Sequence, residues 1–160
     1  WDDHDVPGRD LPLEDAIERG MVAAPPATRR VCLDVGAGIG LHRPVLAPAF
    51  DQLVLVDLAF EMLRRAPAGT PGRVQADASR LPVADASVDA LVLVNCFLFP
   101  AEVERVLAAR GVVVTVSSRG TATPIHLDGA EVVDALPGPW SGVTSAAGWG
   151  LWTVAWRGDA

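Results

Sequence analysis

Val31-Cys32-Leu33-Asp34-Val35-Gly36-Ala37-Gly38-Ile39-Gly40 decides how the rest of this chain is read. Val31, Leu33 and Val35 form the apolar, partly β-branched run of a strand covered on both faces. Gly36, Gly38 and Gly40 then remove every Cβ at a sharp turn and let a ligand lie against the backbone. From Leu41 the chain can open a helix, whose free N–H groups favour a negative group nearby. Strand, glycine turn and helix in this order predict a nucleotide-type site at the carboxyl edge of a parallel sheet.

The spacing narrows the ligand. A dinucleotide fingerprint, G-x-G-x-x-G, would need its third glycine at position 41, which is Leu41. The chain instead reads Asp34-x-Gly36-x-Gly38-x-Gly40, with an acid ahead of the first glycine. A second strand, Leu53-Val54-Leu55-Val56, ends in Asp57, beside the first turn of a doubly wound sheet. There the carboxylate can accept two hydrogen bonds from ribose hydroxyls. Phe60 to Ala66 reads as a helix. Gln75-Ala76-Asp77-Ala78-Ser79-Arg80-Leu81-Pro82-Val83-Ala84-Asp85-Ala86-Ser87-Val88-Asp89-Ala90 follows, then a strand Leu91 to Val94 ending at Asn95. Glu104 to Leu107 reads as a helix end, and Gly111 to Val116 as strand five.

These ordered pieces, from about Val31 to Ser117, resemble the class I S-adenosylmethionine-dependent methyltransferases of the type 11 group. The Gln75–Ala90 run is similar to that family's D-A-x-x-L-P-F-x-D-x-S-F-D signature, and Met62-Leu63-x-x-Ala66 to its ML..A segment. The resemblance implies an α/β fold: a doubly wound, Rossmann-like, mainly parallel seven-stranded sheet with an antiparallel C-terminal hairpin and helices on both faces. It implies S-adenosyl-L-methionine as cofactor and a small-molecule methyl acceptor. It also implies a cofactor-binding set of Asp34, Gly36, Ala37, Gly38, Gly40, Asp57, Leu58, Asp77, Ala78 and Asn95. Within that set Asp77 accepts from the adenine amino group and the Ala78 amide donates to the ring. Asp34 either braces the glycine turn through backbone N–H groups or lies under the methionine moiety. Asp85 and Asp89 read as turn and cap residues.

Methyl transfer from a sulfonium needs in-line approach of a nucleophile and little else, so proximity and orientation can supply much of the catalysis. The catalytic candidates are accordingly few. Asn95 lies where the family places the reacting centre, and either orients an acceptor or caps a strand end. His126 is a base for deprotonating an acceptor, or a loop histidine bonded to backbone. Arg43 either pairs with the cofactor carboxylate or is a solvated helix-start residue. Asp2-Asp3-His4-Asp5 carries metal-ligand residue types, but an acidic chain end is the simpler reading, and no metal is expected. Some parts depart from the family: the N-terminal lid helices are nearly absent, and the strand-four connection is only Cys96 to Pro100. Ala109-Arg110-Gly111 stands where the family has P-G-G. A non-catalytic cofactor-binding module or partner subunit is therefore the first alternative, and a nicotinamide-dependent reductase the second.

The 160 residues suit one domain with a real core, and half of them are apolar. Residues 1–30 read as an N-terminal segment with one short helix, Leu13 to Arg19, stopped by Gly20, and a connector through Pro26. Residues 31–160 read as the methyltransferase-type domain. A net charge of −7, carried against 13 arginines and no lysine, argues against a phosphate-backbone partner. No apolar run is long enough to span a bilayer and no basic-then-apolar leader opens the chain, which suits a cytoplasmic protein with no membrane partner. A homodimer is compatible with this composition. Cys32 and Cys96 fall at opposite ends of neighbouring strands, too far apart to bridge. Beyond Gly120, Asp128 is the expected N-cap of a helix through Leu136, ended by Pro137-Gly138-Pro139. Trp140 to Ala146 and Trp149 to Arg157 read as a hairpin beside strand five. Trp152, Val154 and Trp156 fall on one sheet face packed on a helix.

Overall fold

The computed structural model describes residues 11–25, 29–70 and 72–158. Seven strands form a single sheet in the order β3-β2-β1-β4-β5-β7-β6. β1 (Val31–Val35), β2 (Gln52–Asp57), β3 (Arg73–Gln75), β4 (Val88–Val94) and β5 (Leu107–Ser117) run parallel. β6 (Trp140–Ala147) and β7 (Gly150–Arg157) form the hairpin, and β7 pairs antiparallel with β5. The doubly wound, mainly parallel sheet expected from the strand pattern is therefore the architecture.

Alternation along each strand divides the core into two layers. Cys32, Leu55, Ala90, Val92, Val114, Trp152 and Val154 face one side. They are covered by Leu13, Ala16, Ile17 and Met21 from the N-terminal helical run, with Leu46 and Leu63. Leu33, Val35, Val56, Leu91, Leu93 and Val113 face the other. There α5 (Pro100–Val106) contributes Val103 and Val106, and α6 (Gly129–Ala135) contributes Val132. Trp152 and Val154 are buried in the first layer, with Trp156 half-buried against it, so this alternation is a packing face.

Two helix expectations need correction. The N-terminal helix does not stop at Gly20: α1 (Leu11–Asp15) runs through a π turn (Ala16–Gly20) into α2 (Met21–Ala23). Gly20 keeps helical angles, φ −65° and ψ −45°. Its role is spacing. A Cβ there would sit 2.6 Å from Val154 Cγ2 and 2.7 Å from Trp152 Cζ3, so only glycine lets this helix lie so close to β7. Asp15 fixes the same contact by accepting from the Trp152 indole at 2.8 Å while pairing with Arg19. The second correction concerns the helix expected from Leu41. α3 is a single turn, Arg43–Leu46, and α4 is Phe60–Arg64. Pro44 can open a helix but Pro48 cannot continue one, which leaves no room for a longer element. The expected cap is present: Asp128 accepts from the Ala130 amide at 2.9 Å. Both cysteines are free, Cys32 buried and Cys96 half-buried. Of the N-terminal segment, Asp2 to Asp5 and Pro26 lie outside the described residues. Among the described residues no helix is long and apolar enough to cross a membrane.

Candidate functional site

The order of strands reverses between β1 and β4: the chain steps outward from β1 to β2 and β3, then returns to lay β4 on the other side of β1. A doubly wound sheet opens a crevice at that point, outside the carboxyl ends of the strands. The glycine turn occupies it. Gly36, Gly38 and Gly40 have φ of +74°, +55° and +77°, a region closed to most side chains. Their surroundings differ. A Cβ on Gly40 would lie 2.7 Å from Leu55 Cδ1, so that glycine serves packing. One on Gly36 would meet Cys96 Sγ at 3.0 Å. One on Gly38 would meet only Met62 Cε, at an ordinary 3.7 Å, so the space above Gly38 is open.

Asp57 closes the turn. Its Oδ2 accepts from the Gly38 amide at 2.8 Å and its Oδ1 from the Ala59 amide at 2.8 Å. The Gly36 and Ala37 amides bond to the Val56 carbonyl at 2.8 and 3.1 Å. The end of β2 thus holds the turn after β1 by three hydrogen bonds, the Ala59 bond fixing the carboxylate itself, and Asp57 retains lone pairs for a ligand. Asp34 does something else. It is fully buried, and its carboxylate faces His42 Nδ1 at 3.2 and 3.4 Å. No bond from Asp34 to the amides of the turn is present among the described residues, so of its two readings the bracing one falls instead to Asp57. His42 is the residue that motif reading passed over. It follows the last glycine by two positions, and no local pattern announces that its ring turns back beneath the strand.

Asp77 is exposed and folds onto its own loop, accepting from the Ser79 amide at 2.8 Å and the Ser79 hydroxyl at 2.7 Å. The Ser79 hydroxyl, then its amide, hold the carboxyl below the usual aspartate range. Half-buried Ala78 lines an apolar pocket with Val35, Leu81, Leu93, Phe97 and Phe99 beyond the ends of β1 and β4. Leu58 and Phe97 stand 68% and 61% exposed at this edge, large apolar side chains left in solvent beside the turn.

Arg105 fixes the loop that carries Asp77 and Ala78. It donates to the carbonyls of Leu81 and Val83 at 2.8 and 2.9 Å, and pairs with Asp85 at 2.7 Å and Glu102 at 2.6 Å. Glu102 also accepts from the Leu81 amide at 2.5 Å. The guanidinium holds the Glu102 carboxyl below its ordinary value, and the carboxylates push Arg105 up in turn. Asp89, nearly fully buried, accepts from the amides of Arg30 and Val31 at 3.1 and 2.9 Å and so anchors the entry to β1.

Asn95 sits at the end of β4 with φ +51°, one of two such non-glycine residues among those described. Its Oδ1 accepts from the Ser118 amide at 2.9 Å, and its Nδ2 donates to the Ser118 hydroxyl at 2.8 Å. The side chain ties the ends of β4 and β5 together. The loop bearing His126 is moored to the same place, the Leu127 amide donating to Ser117 Oγ at 3.2 Å. His126 Nδ1 is buried with no hydrogen-bond partner among the described residues. Arg43 lines a separate pocket with Phe50, Asp51, Leu53 and Thr70, near the start of β2 rather than its carboxyl end.

The chain from residue 33 to 115 matches the family model described as Methyltransferase domain. No curated protein matches. Among solved structures it is similar to an S-adenosylmethionine-dependent methyltransferase of Aquifex aeolicus, with a TM-score of 0.70 and 18% identity over 94% of this chain and 93% of that one. It is similar to the chain assigned as a methyltransferase in the Haloferax volcanii complex with the Trm112 methyltransferase activator, with a TM-score of 0.70 and 15% identity over 94% and 91%. A chain assigned as a type II methyltransferase in Anaeromyxobacter dehalogenans is 26% identical at a TM-score of 0.55; the match covers 65% of this chain and only 45% of that one.

Proposed function

This chain belongs to the methyltransferase-domain family, and we propose that it transfers a methyl group from S-adenosyl-L-methionine to a small-molecule acceptor. The observation that carries the reading is the Gly36–Gly40 turn, clamped by Asp57 and open above Gly38 at the β1/β4 reversal. The residues present fit the cofactor. Asp57 has lone pairs left for ribose hydroxyls, and Leu58 and Phe97, exposed at this edge, offer the apolar faces an adenine ring needs. Asp77, with one oxygen engaged by Ser79, keeps the other for the exocyclic amine. Gly36, Ala37 and Gly40 shape the backbone against which the methionine end lies. Asp34, paired with His42, supplies negative charge beneath it.

When bound, the cofactor supplies a methyl carbon made electrophilic by its sulfonium. The chain's own work is to hold, orient and exclude water. Asn95 fixes the floor of the acceptor side by joining β4 to β5. His126 is half-buried with its Nδ1 enclosed, so its other ring nitrogen is the candidate to take a proton from an acceptor hydroxyl or amine.

One observation favours a second reading, a non-catalytic cofactor-binding module: both polar ends of the Asn95 side chain are already engaged by Ser118. Calorimetry with S-adenosylmethionine, S-adenosylhomocysteine and NADH tests the common part of both readings, with binding of the first two in the micromolar range and none of NADH expected. Tight NADH binding without the sulfur ligands would overturn both. A radiolabelled-methyl screen over small phenols, amines and carboxylic acids then separates them. Turnover supports the enzyme, and firm cofactor binding with no acceptor methylated supports the module.

A further inference from the structure

The two edges of the sheet are treated differently. β3, at one edge, has three residues and carries Arg73. Brevity and charge are the usual devices that keep an edge from pairing with another chain. β6, at the other edge, has eight residues, Trp140-Ser141-Gly142-Val143-Thr144-Ser145-Ala146-Ala147, with no charge, no proline and no bulge in its pairing to β7. Ser141, Gly142, Thr144 and Ala146 are exposed. Among the described residues no strand pairs with its outer side, so an edge of this length offers a ladder of N–H and C=O groups about 25 Å long.

Each end of β6 carries a feature that the described residues leave without a use. Beyond Ala147 the hairpin closes through Gly148, at φ +54°, and Trp149. Glycine with positive φ at the first central position is the II′ arrangement, which fixes the second residue outward. Trp149 is 79% exposed, more than any other large apolar side chain described. The turn holding it is tightly seated, because a Cβ on Gly150 would lie 2.5 Å from Pro12 Cγ and 2.9 Å from the Ser117 carbonyl. Before Trp140 stand Pro137, Gly138 and Pro139, all exposed. An indole at one end of the strand and a proline corner at the other are complementary only if a strand meets its own antiparallel copy.

We propose that β6 pairs antiparallel with β6 of a second copy of this chain, joining two sheets into one of fourteen strands. In the register that sets Thr144 opposite Thr144 of the partner, Trp149 falls opposite the partner's Pro139 and packs on its prolines. The two-fold relation makes the contact occur twice, as an isologous interface requires. Such pairing sets the two carboxyl edges facing opposite ways, so both glycine turns stay open. The proposal concerns a surface remote from the turn and stands or falls independently of the methyl-transfer reading.

Sedimentation velocity of the whole chain, from low-micromolar to several hundred micromolar, is expected to show a monomer–dimer equilibrium, the modest affinity of a small interface. Trp149→Ser and Ala146→Lys both change exposed side chains and should leave the melting temperature near that of the parent. Each should weaken dimerisation at least tenfold. Hydrogen exchange should slow in β6, and not in β3, as concentration rises. A chain that stays monomeric throughout, or a dimer that neither variant weakens, would overturn the proposal.

Discussion

Replacing Asp57 by alanine should injure the protein in two separable ways. The carboxylate holds the Gly38 amide in a half-buried setting and the Ala59 amide in an exposed one, each at 2.8 Å. A hydrogen bond to a charged group contributes about 1.5–3 kcal/mol when partly buried and less in solvent. The half-buried bond is then worth about 1.5–2 kcal/mol and the exposed one about 0.5–1 kcal/mol, together about 2–3 kcal/mol of stability. For a domain of this size that is a fall of roughly 4–12 °C in melting temperature without ligand. The second injury is to the cofactor. Two ribose bonds worth about 2–4 kcal/mol are lost, a roughly thirtyfold to thousandfold weaker Kd for S-adenosylhomocysteine. Asp57→Asn separates charge from size. Its amide keeps one accepting oxygen but turns a donor toward the other backbone N–H, so it should bind no better than alanine. Calorimetry for the Kd and thermal unfolding with and without ligand read the two effects. A folded Asp57→Ala variant with unchanged Kd would show that the ribose is held elsewhere. An unchanged melting temperature would show that water replaces the carboxylate at both amides.

Gly38→Val should fold with a lowered melting temperature and lose measurable S-adenosylhomocysteine binding, since its Cβ finds room but its φ is +55° and its branches fill the open side; a variant that binds like the parent would make the turn a link and not a site. Glu102→Gln should destabilise at neutral pH, by an amount that vanishes in acid. Arg105 lowers the folded Glu102 value, so its contribution is complete above the ordinary value of about 4.3 and is lost as pH falls through the lower folded one. Melting curves of both proteins from pH 7 downward check this; a difference that grows in acid would refute the pairing. Cys96, raised chiefly by burial, should react with a thiol disulfide reagent slowly at pH 7 and faster as pH climbs past the ordinary thiol range. Prompt labelling at pH 7 would mean that the loop after β4 opens readily.

The parts that local pattern encodes were legible. β1 and its turn read correctly because a doubly covered strand is a continuous apolar run, and because three glycines at two-residue spacing have little use except left-handed backbone. Asp57 was locatable, since a strand end is a sequence feature; that its carboxylate reaches the Gly38 amide is a property of neighbouring strands, which no local window contains. The same limit hid the Arg105 clamp, whose partners lie up to 24 positions away, whereas the His42–Asp34 pair, 8 positions apart, was missed because no motif marks a ring that turns back on its strand. Gly20 misled for a different reason. Its ordinary weight as a helix stop was overridden by the close approach to Trp152 and Val154, a contact made across most of the chain.

The three bonds that bind the turn to the end of β2 also bear on how fast a ligand can arrive. All three are made between the chain's own atoms, so the shape of the turn does not depend on ligand contacts, and the backbone there should move little between free and bound forms. Association of S-adenosylhomocysteine should therefore follow a single exponential whose rate rises linearly with concentration, with no plateau from a slow opening step. Variants around the turn should then differ in residence time far more than in on-rate.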